Sequence, residues 1–310
     1  CAAYATNYLD SLQFHGYFVA MNMSGFTIIK NAVINDYPIV EAITSILPVV
    51  DEMIVLVGKS DDDTLGLIRA IGDPKIKIHE SVWDPNLRKG GAVLAIETNK
   101  AFALIDPSST WAFYMQGDEV VHEKYHAAIK EACHAYENDM QVEGLLFNYV
   151  HFYGTYDYVG DSRKWYNKEV RVIRNKKEIT AYKDAQGFRK GTTKIDVKQV
   201  AASVYHYGWV KSPAQMAKKI KNFSALWHSD AELNEILKDN QHWDFTAYDS
   251  LEKFVGTHPA VMQSRIAAQN WKIEIDTTRK NFSFKDRILY YFEKLTGIRL
   301  FDFNNFKIIQ

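Results

Sequence analysis

The 310-residue chain has the composition of an ordinary globular protein, with 47% hydrophobic and 24% charged residues. Its 37 basic residues against 38 acidic residues give a net charge of −1, which argues against a general nucleic-acid binder. Two cysteines, Cys1 and Cys133, supply neither a disulfide framework nor a zinc site and fit the reducing cytoplasm. No apolar run approaches the roughly 20 residues that cross a bilayer, so an integral membrane protein is not expected.

The first 22 residues carry neither an initiating Met nor the basic-then-apolar order of a signal peptide. We interpret them as an upstream extension or as the cut edge of a fragment. A natural start is expected near Met21 or Met23.

Short apolar runs alternate with helical patterns through the first half of the chain. The predicted strands are residues 26–29, 53–57, 75–79 and 111–115, and the predicted helices are residues 39–47, 64–71 and 92–104. This order predicts a mostly parallel sheet that helices cover on both faces.

The stretch from Trp111 to His122 contains the most informative pattern in the sequence. Its apolar residues are continuous, which is typical of a central strand, and Asp118 and Glu119 follow directly after the strand. Ligands bind at this edge of open α/β sheets, and a carboxylate there can hold a hard divalent cation against a phosphate. The alternative is a polar turn in which one of the two acids caps a helix.

Two loops that follow other strands also carry candidate ligand-binding residues. Asp61, Asp62 and Asp63 follow Ser60 after the second strand, either as a solvated helix start or with one carboxylate that binds a base or ribose. Arg88 and Lys89 precede a helix, where they form a flexible loop or meet phosphates. Neither a dinucleotide-binding GxGxxG pattern nor a P-loop accompanies them.

The second half begins with an amphipathic helix at residues 125–136, in which Cys133 is predicted to be buried. Residues 144–152 and 170–173 predict strands, and the Tyr, Trp, Arg and Asp residues between them suit a pocket for a sugar or base. Helices are predicted after Lys211. They start at Ser212, Ser229 and Ser283, and Gly297 ends the last one.

Residues 24–209 resemble the family 2 glycosyltransferases of the GT-A fold. The features that carry the resemblance are Asn31, the Ser60 to Asp63 loop, Gly90 and Gly91, Thr98 and Asn99, and the Gln116 to Glu119 segment in place of a DxD metal motif. This chain has Gln116 where the motif has its first Asp, and Asp118 is the second acid.

The resemblance implies a GT-A-like α/β fold, with a mostly parallel sheet flanked by helices and a helical C-terminal extension. It divides the chain into an N-terminal extension at 1–22, a catalytic domain at 23–210 and a helical region at 211–310. The implied activity is hexosyltransferase-type, moving a sugar from a nucleotide-diphosphate sugar to an acceptor hydroxyl with inversion at the anomeric carbon.

The resemblance also implies site residues. Asp118 holds Mg²⁺ or Mn²⁺, and His206 completes the metal site, although a lone His among aromatic residues is often structural. The implied nucleotide-binding residues are Asn31, Ser60, Asp61, Asp63, Arg88, Lys89, Gly90, Asn99 and Gln116.

An inverting transfer needs a carboxylate base near the acceptor oxygen. Asp184 is the first choice, because it lies in the expected part of the chain, and three further acids remain open: Asp157, Asp161 and Glu169. Arg163 and Arg171 are candidate clamps for the diphosphate, with ordinary ion pairing as the alternative.

Two other functions remain open, a sugar-nucleotide nucleotidyltransferase and a catalytically inactive nucleotide-sugar-binding module. The expected partners are a UDP- or GDP-type donor and a saccharide or lipid-linked acceptor in envelope or capsule polysaccharide synthesis, with no nucleic acid. A homo-oligomer is left open. The aromatic and basic segment at 282–309 either packs on the catalytic domain, the favoured interpretation, or rests on the inner face of the membrane in the cytoplasm.

Overall fold

The computed structural model describes residues 22–87, 89–224 and 243–310, without the side chains of Lys89 and Phe223. Residues 1–21 of the expected extension, together with Arg88, lie outside the described residues. The helix that the sequence predicts from Ser229 also lies outside the described residues.

Four parallel strands in the order β3-β2-β1-β4 form the part of the sheet where the chain begins. They are β1 (Met23–Ile29), β2 (Glu52–Gly58), β3 (Ile76–Ser81) and β4 (Trp111–Tyr114), and the helices between them are α1 (Ile39–Ile46), α2 (Thr64–Arg69) and α3 (Ala92–Phe102). Every residue of β1, β2 and β4 is buried, as expected for continuous apolar runs in a doubly covered sheet. The predicted α/β class with a mostly parallel central sheet is confirmed.

The sheet continues beyond β4 in mixed orientation. The further elements are β5 (Glu119–Val121), α4 (His126–Ala135), β6 (Gly144–Gly154), β7 (Tyr158–Gly160), β8 (Lys168–Arg174) and β12 (Asp196–Val210), with a separate small sheet of β9 (Ile179–Tyr182), β10 (Gly187–Lys190) and β11 (Thr193–Lys194). Strand β8 is antiparallel to both β4 and β6, whereas β12 is parallel to β6 and antiparallel to β5. The long β12 therefore returns the chain to the segment that follows β4.

Apolar side chains fill both faces of the sheet. One face packs against α1 and α4, and the other packs against α3, where the Phe26 and Phe102 rings stack with centroids 5.3 Å apart. Cys133 is fully buried in α4, and its carbonyl accepts a 3.0 Å hydrogen bond from the indole N–H of Trp111. Burial raises the pKa of the Cys133 thiol, which makes it a packing residue.

The segment after β12 both adds helices and returns to the sheet. Helix α5 (Pro213–Ser224) follows β12, and a C-terminal helix spans Phe284–Thr296. Ser283 caps this helix, and Gly297 ends it in the left-handed conformation, as the sequence predicts. Two short strands, β13 (Leu251–Lys253) and β14 (Lys307–Ile308), pair with β7 and β12.

The C-terminal helix packs on the domain through one face only. Asp161 accepts hydrogen bonds from Tyr290 at 2.7 Å and Lys280 at 2.6 Å, and it forms an ion pair with Lys294 at 2.7 Å. The large apolar side chains on the outer face are exposed: Phe284, Ile288, Tyr291 and Leu295. None of the helices in the described ranges has the length and apolar character that a bilayer crossing requires.

Candidate functional site

A cavity of about 750 Å³ opens at the carboxyl ends of β1 and β4, the edge at which the sequence predicts ligand binding. Polar residues from several elements line it: Lys30, Asn31, Gln116, Asp118, Asp184, His206 and Lys219. Aromatic residues form much of the remaining wall: Tyr37, Trp83, Trp165, Tyr166 and Trp209. Apolar walls with a few converging polar groups are typical of small-molecule sites.

Strand pairing brings Asp118 and His206 together. Strand β5 starts directly after Asp118 and pairs with β12, in the register that sets Glu119 opposite His206. The backbone N–H of Tyr207 donates to the Asp118 carbonyl at 2.8 Å, and His206 Nε2 lies 3.5 Å from Asp118 Oδ2. Residues far apart in sequence thus share one corner of the cavity.

Gly208 allows this close approach. A Cβ atom at this position would lie 2.4 Å from Asp118 Oδ2 and 2.6 Å from His206 Nε2, distances that real Cβ contacts do not reach. Only a residue without a side chain leaves room for both groups.

Lys219 on α5 supplies the positive charge next to Asp118. Its Nζ lies 3.2 Å from Asp118 Oδ2 and donates to the Gly208 carbonyl at 2.8 Å. Burial by itself would raise the pKa of Asp118, but the charges of Lys219 and His206 outweigh it and hold that pKa well below its usual range. Asp118 is therefore a carboxylate at all physiological pH values.

A second histidine orients His206. His151 Nε2 lies 2.9 Å from the Tyr166 carbonyl, which can only accept, so this nitrogen carries a proton. Burial, together with the neighbouring His206, lowers the pKa of His151 well below its ordinary value, so His151 is neutral and its Nδ1 accepts. His206 Nδ1 lies 3.3 Å from that atom and donates to it, which orients the His206 ring with Nε2 towards Asp118.

These groups fit a divalent cation only in part. Asp118 and His206 provide one carboxylate and one imidazole, and the part of the chain that the structure describes holds no cluster of three His, Cys, Asp or Glu residues that could bind a metal ion. Mg²⁺ and Mn²⁺ prefer several oxygen ligands. Because the Lys219 ammonium already contacts Asp118, the arrangement as it stands does not fit a divalent cation.

Glu119 is committed to a buried ion pair with Arg171. Arg171 Nε donates to Oε2 at 2.8 Å and Nη2 donates to Oε1 at 2.5 Å, and both side chains are fully buried. The Tyr149 hydroxyl and the Gln116 backbone N–H also donate to this carboxylate. Arg171, predicted as a diphosphate clamp, therefore lies beneath the cavity floor and not among its lining residues.

The four candidate bases lie in different surroundings. Asp184 lines the cavity on the turn between β9 and β10, flanked by Lys183 and Ala185 in the left-handed conformation. Glu169 is buried 3.6 Å from Arg171, and burial raises its pKa to about 8. Asp157 is exposed outside the cavity, and Asp161 binds the C-terminal helix. Asp184 is the one of the four that lines the cavity.

Asn31 and Gln116 line the cavity, but other predicted nucleotide-binding residues do not. Asp61 exchanges two hydrogen bonds with Asn31, Ser60 accepts from the Asn31 backbone, and Asp63 caps α2.

The remaining predicted residues lie farther from the cavity or are described only in part. Asn99 accepts from the Ala181 backbone at 2.7 Å, which joins α3 to β9. Gly90 has a left-handed backbone just before α3, and the Lys89 side chain beside it is not described. Arg163 pairs with Glu293 at 2.6 Å beside a separate recess of about 340 Å³.

Several lining residues were not predicted as site residues: Tyr37, Trp83, His151, Trp209 and Lys219. Trp209 lies in the aromatic stretch VYHYGW, which also contains the predicted site residue His206. Lys219 belongs to a helix with three lysines and no motif, so nothing in the sequence distinguishes it from its neighbours.

No protein-family model matches the chain, and no curated protein matches it. Among solved structures, it is similar to S. aureus TarS 1–349, with 14% identity, 70% of this chain and 69% of that chain covered, and a TM-score of 0.37. It is also similar to a Mycobacterium tuberculosis glucosyl-3-phosphoglycerate synthase that was crystallised with Mn²⁺, UDP and phosphoglyceric acid. The sequence identity is 19%, the match covers 43% of this chain and 44% of that chain, and the TM-score is 0.30. A third similar structure is the 4-diphosphocytidyl-2C-methyl-D-erythritol synthase of Anaerococcus prevotii. It has 12% sequence identity, with 71% of this chain and 96% of that chain covered and a TM-score of 0.37. Similarities this low do not identify a function.

The buried pair generates a stability prediction. Glu119→Gln removes the carboxylate that binds the buried Arg171 guanidinium closely and leaves Glu169, at 3.6 Å, as its ion-pair partner. We therefore expect a loss of about 3–5 kcal/mol in the free energy of unfolding. Urea denaturation measures this loss. The control is Glu80→Gln on the exposed surface, which should change stability by less than about 0.5 kcal/mol. A loss under about 1 kcal/mol for Glu119→Gln would contradict the assigned role of the pair.

Proposed function

We propose that this chain is a glycosyltransferase that moves a hexosyl group from a nucleotide-diphosphate sugar to an acceptor hydroxyl, inverting the anomeric carbon. The observation that carries the proposal is the cavity at the sheet edge, which contains the Asp118, His206 and Lys219 cluster together with the carboxylate of Asp184. Departure of a diphosphate needs positive charge, and attack by a hydroxyl needs a base. One cavity holds both.

The donor is expected on the side formed by β1, β4 and α3. Lys30 and Asn31 follow β1, and Val93 and Leu94 in the first turn of α3 line the same cavity. The first backbone N–H groups of α3 therefore lie near the cavity wall, and free N–H groups at a helix start favour phosphate oxygens. UDP and GDP are the candidate nucleotides.

The acceptor is expected near Asp184 and the aromatic wall of Trp165, Tyr166 and Trp209. Flat aromatic faces suit the apolar face of a saccharide ring. Asp184 takes the proton of the acceptor hydroxyl while its oxygen forms a bond to the anomeric carbon. The bond from that carbon to the diphosphate breaks, and the diphosphate leaves with the electron pair. A single displacement of this kind inverts the anomeric centre.

Dependence on Mg²⁺ or Mn²⁺ stays a prediction of the family resemblance. Asp118 and His206 are the residues that would hold such an ion, and it would supply positive charge to the leaving diphosphate. Lys219 would first have to release the Asp118 carboxylate, because its ammonium lies 3.2 Å from Oδ2.

The two alternative functions differ in their products. A nucleotidyltransferase would release pyrophosphate from a nucleoside triphosphate, and an inactive binding module would bind the donor without turnover. Nucleotidyltransferases usually have a glycine-rich basic loop after the first strand. The loop after β1 here has no such composition and is held by acids: Asp61 bonds Asn31, and Asp62 accepts from the Ile34 backbone at 2.7 Å.

Binding of nucleoside diphosphates is the first prediction for this site. We expect UDP or GDP to raise the melting temperature, because a ligand at about 100 times its Kd adds roughly 2.7 kcal/mol to the folded state. Differential scanning fluorimetry with the two diphosphates, uridine and guanosine measures the shift, and the nucleosides control for binding of the base alone. If neither diphosphate shifts the melting temperature, with or without Mn²⁺, the proposed donor site is wrong.

Asp184→Asn tests the assigned base. We expect kcat to fall by about 10²-fold to 10⁴-fold, because the amide cannot accept the acceptor proton, while the Kd for the nucleoside diphosphate stays unchanged. Release of nucleoside diphosphate from the donor sugar measures the rate. Asp157→Asn, at an exposed carboxylate outside the cavity, is the matched control and should keep full activity. Equal loss in both variants would refute the role of Asp184.

We further propose that the outer face of the C-terminal helix rests on an anionic lipid surface, as suits a lipid-linked saccharide acceptor at the inner face of a membrane. Phe284 is 83% exposed and Leu295 is 87% exposed on this face. Lys285 and Arg287 are exposed on the same helix and complement acidic headgroups.

Vesicle co-sedimentation tests this surface. We expect the protein to pellet with vesicles of phosphatidylcholine and phosphatidylglycerol but less with phosphatidylcholine alone, and Leu295→Glu should abolish pelleting. Val255→Glu, which places the same charge at a site 93% exposed elsewhere, is the control. Protein that stays in the supernatant, or that forms a dimer lost in Leu295→Glu, would show that the face does not bind lipid.

A further inference from the structure

The Lys219 ammonium lies at the cavity wall among groups that favour a cation. Its side chain is only 11% exposed, although lysine side chains are seldom buried without a partner. The ammonium lies between the Asp118 carboxylate and the Gly208 carbonyl. It also lies over the rings of Tyr37 at 5.1 Å and Trp209 at 5.9 Å, where the aromatic faces favour a cation.

Lys219 is the lysine that contacts the Asp118 carboxylate directly, at 3.2 Å. A DxD motif provides two acids for a divalent cation, whereas Gln116 removes one of those charges. Glu119, the next acid, is neutralised by Arg171. Asp118 is then left with one negative charge, and Lys219 supplies one positive charge. Without a nucleotide, a divalent ion added here would place three positive charges, its own two and that of Lys219, beside one carboxylate.

We propose that the Lys219 ammonium is the cation that contacts the donor diphosphate and neutralises its charge as it leaves. This inference rests on the proposed glycosyltransferase function and deepens it. A lysine ammonium has three donors, of which Asp118 and Gly208 use two. Lys219 lines the cavity and makes these two hydrogen bonds within the described residues, so its third donor can bind a phosphate oxygen.

Asp118 and His206 are positioning residues in this arrangement. Asp118 fixes the ammonium, since its carboxylate is the one charged oxygen ligand of Lys219 within the described residues. His206, which His151 orients, lies 3.5 Å from the same carboxylate oxygen, Asp118 Oδ2. Gly208 keeps the space between them open. Asp118, His206 and Gly208 together fix the position of the positive charge of Lys219.

The test measures binding of UDP and GDP by isothermal titration calorimetry in EDTA and again in excess Mn²⁺. We expect binding in EDTA, with a Kd that Mn²⁺ changes less than about twofold. Lys219→Met should weaken it about 10-fold to 100-fold, as expected for loss of a hydrogen bond to a charged group. Lys219→Arg should restore most of the affinity, because it restores the charge. Lys218→Met, at the exposed neighbour on α5, should bind as the parent protein does.

Mn²⁺ binding without nucleotide provides a second readout. Electron paramagnetic resonance should detect free Mn²⁺ with the parent protein, and bound Mn²⁺ with Lys219→Met, which frees Asp118 and His206. Melting temperatures establish that each variant is folded. If Lys219→Met does not fold, nucleotide binding by the parent protein in EDTA and by Lys219→Arg decides whether Lys219 is the cation that contacts the diphosphate.

The outcomes separate this inference from the proposed function. Nucleotide that binds only in the presence of Mn²⁺ would overturn the role of Lys219 and leave the glycosyltransferase proposal standing. Equal nucleotide affinity in the parent protein and in a folded Lys219→Met variant would also overturn the proposed role of Lys219. If no nucleoside diphosphate binds under either condition, the proposed function itself fails.

Discussion

The buried ion pair between Glu119 and Arg171 is the interaction on which the cavity depends. It joins β5 to β8, and it accepts further hydrogen bonds from Tyr149 on β6 and from the backbone of Gln116. Four segments of the mixed half of the sheet are thereby fixed around one carboxylate. A buried charge without its partner is strongly unfavourable, so the four segments hold one relative position. The same pair therefore links the strands that lie beneath the cavity.

Adjacent acids consequently have opposite roles. Glu119 points its charge into the interior, where Arg171 satisfies it, and Asp118 one residue earlier presents its charge to the cavity. Successive side chains at the start of a strand lie on opposite faces, which explains why neighbours in sequence separate so completely. A motif description that treats both acids as metal ligands would miss this division, because only the fold shows that Arg171 lies beneath the strand.

Much of the fold could be predicted from the sequence, because strands, helices and helix ends are indicated by residues that lie close together in the chain. Continuous apolar runs predicted the buried strands of the parallel sheet, and Ser283 and Gly297 predicted the ends of the C-terminal helix. The site was accessible in part, since Asp118, Gln116 and Asn31 follow predicted strands and line the cavity. Arg171 and Lys219 could not be assigned, because their roles arise from contacts with residues 52 and 101 positions away. No periodic pattern encodes a contact of that kind.

The neutral side chain of Gln116 has a physical consequence for the corner of the cavity around Asp118. A neutral amide lowers the negative charge available to a cation, and a corner with one carboxylate is better balanced by one ammonium than by a divalent ion. Lys219 meets this requirement from a helix that lies outside the motif-bearing part of the chain. The C-terminal region is therefore more than a packing element, because α5 carries the charge that Asp118 needs. Any anionic ligand that enters the cavity meets an ammonium that Asp118 and Gly208 already bind and that is largely buried.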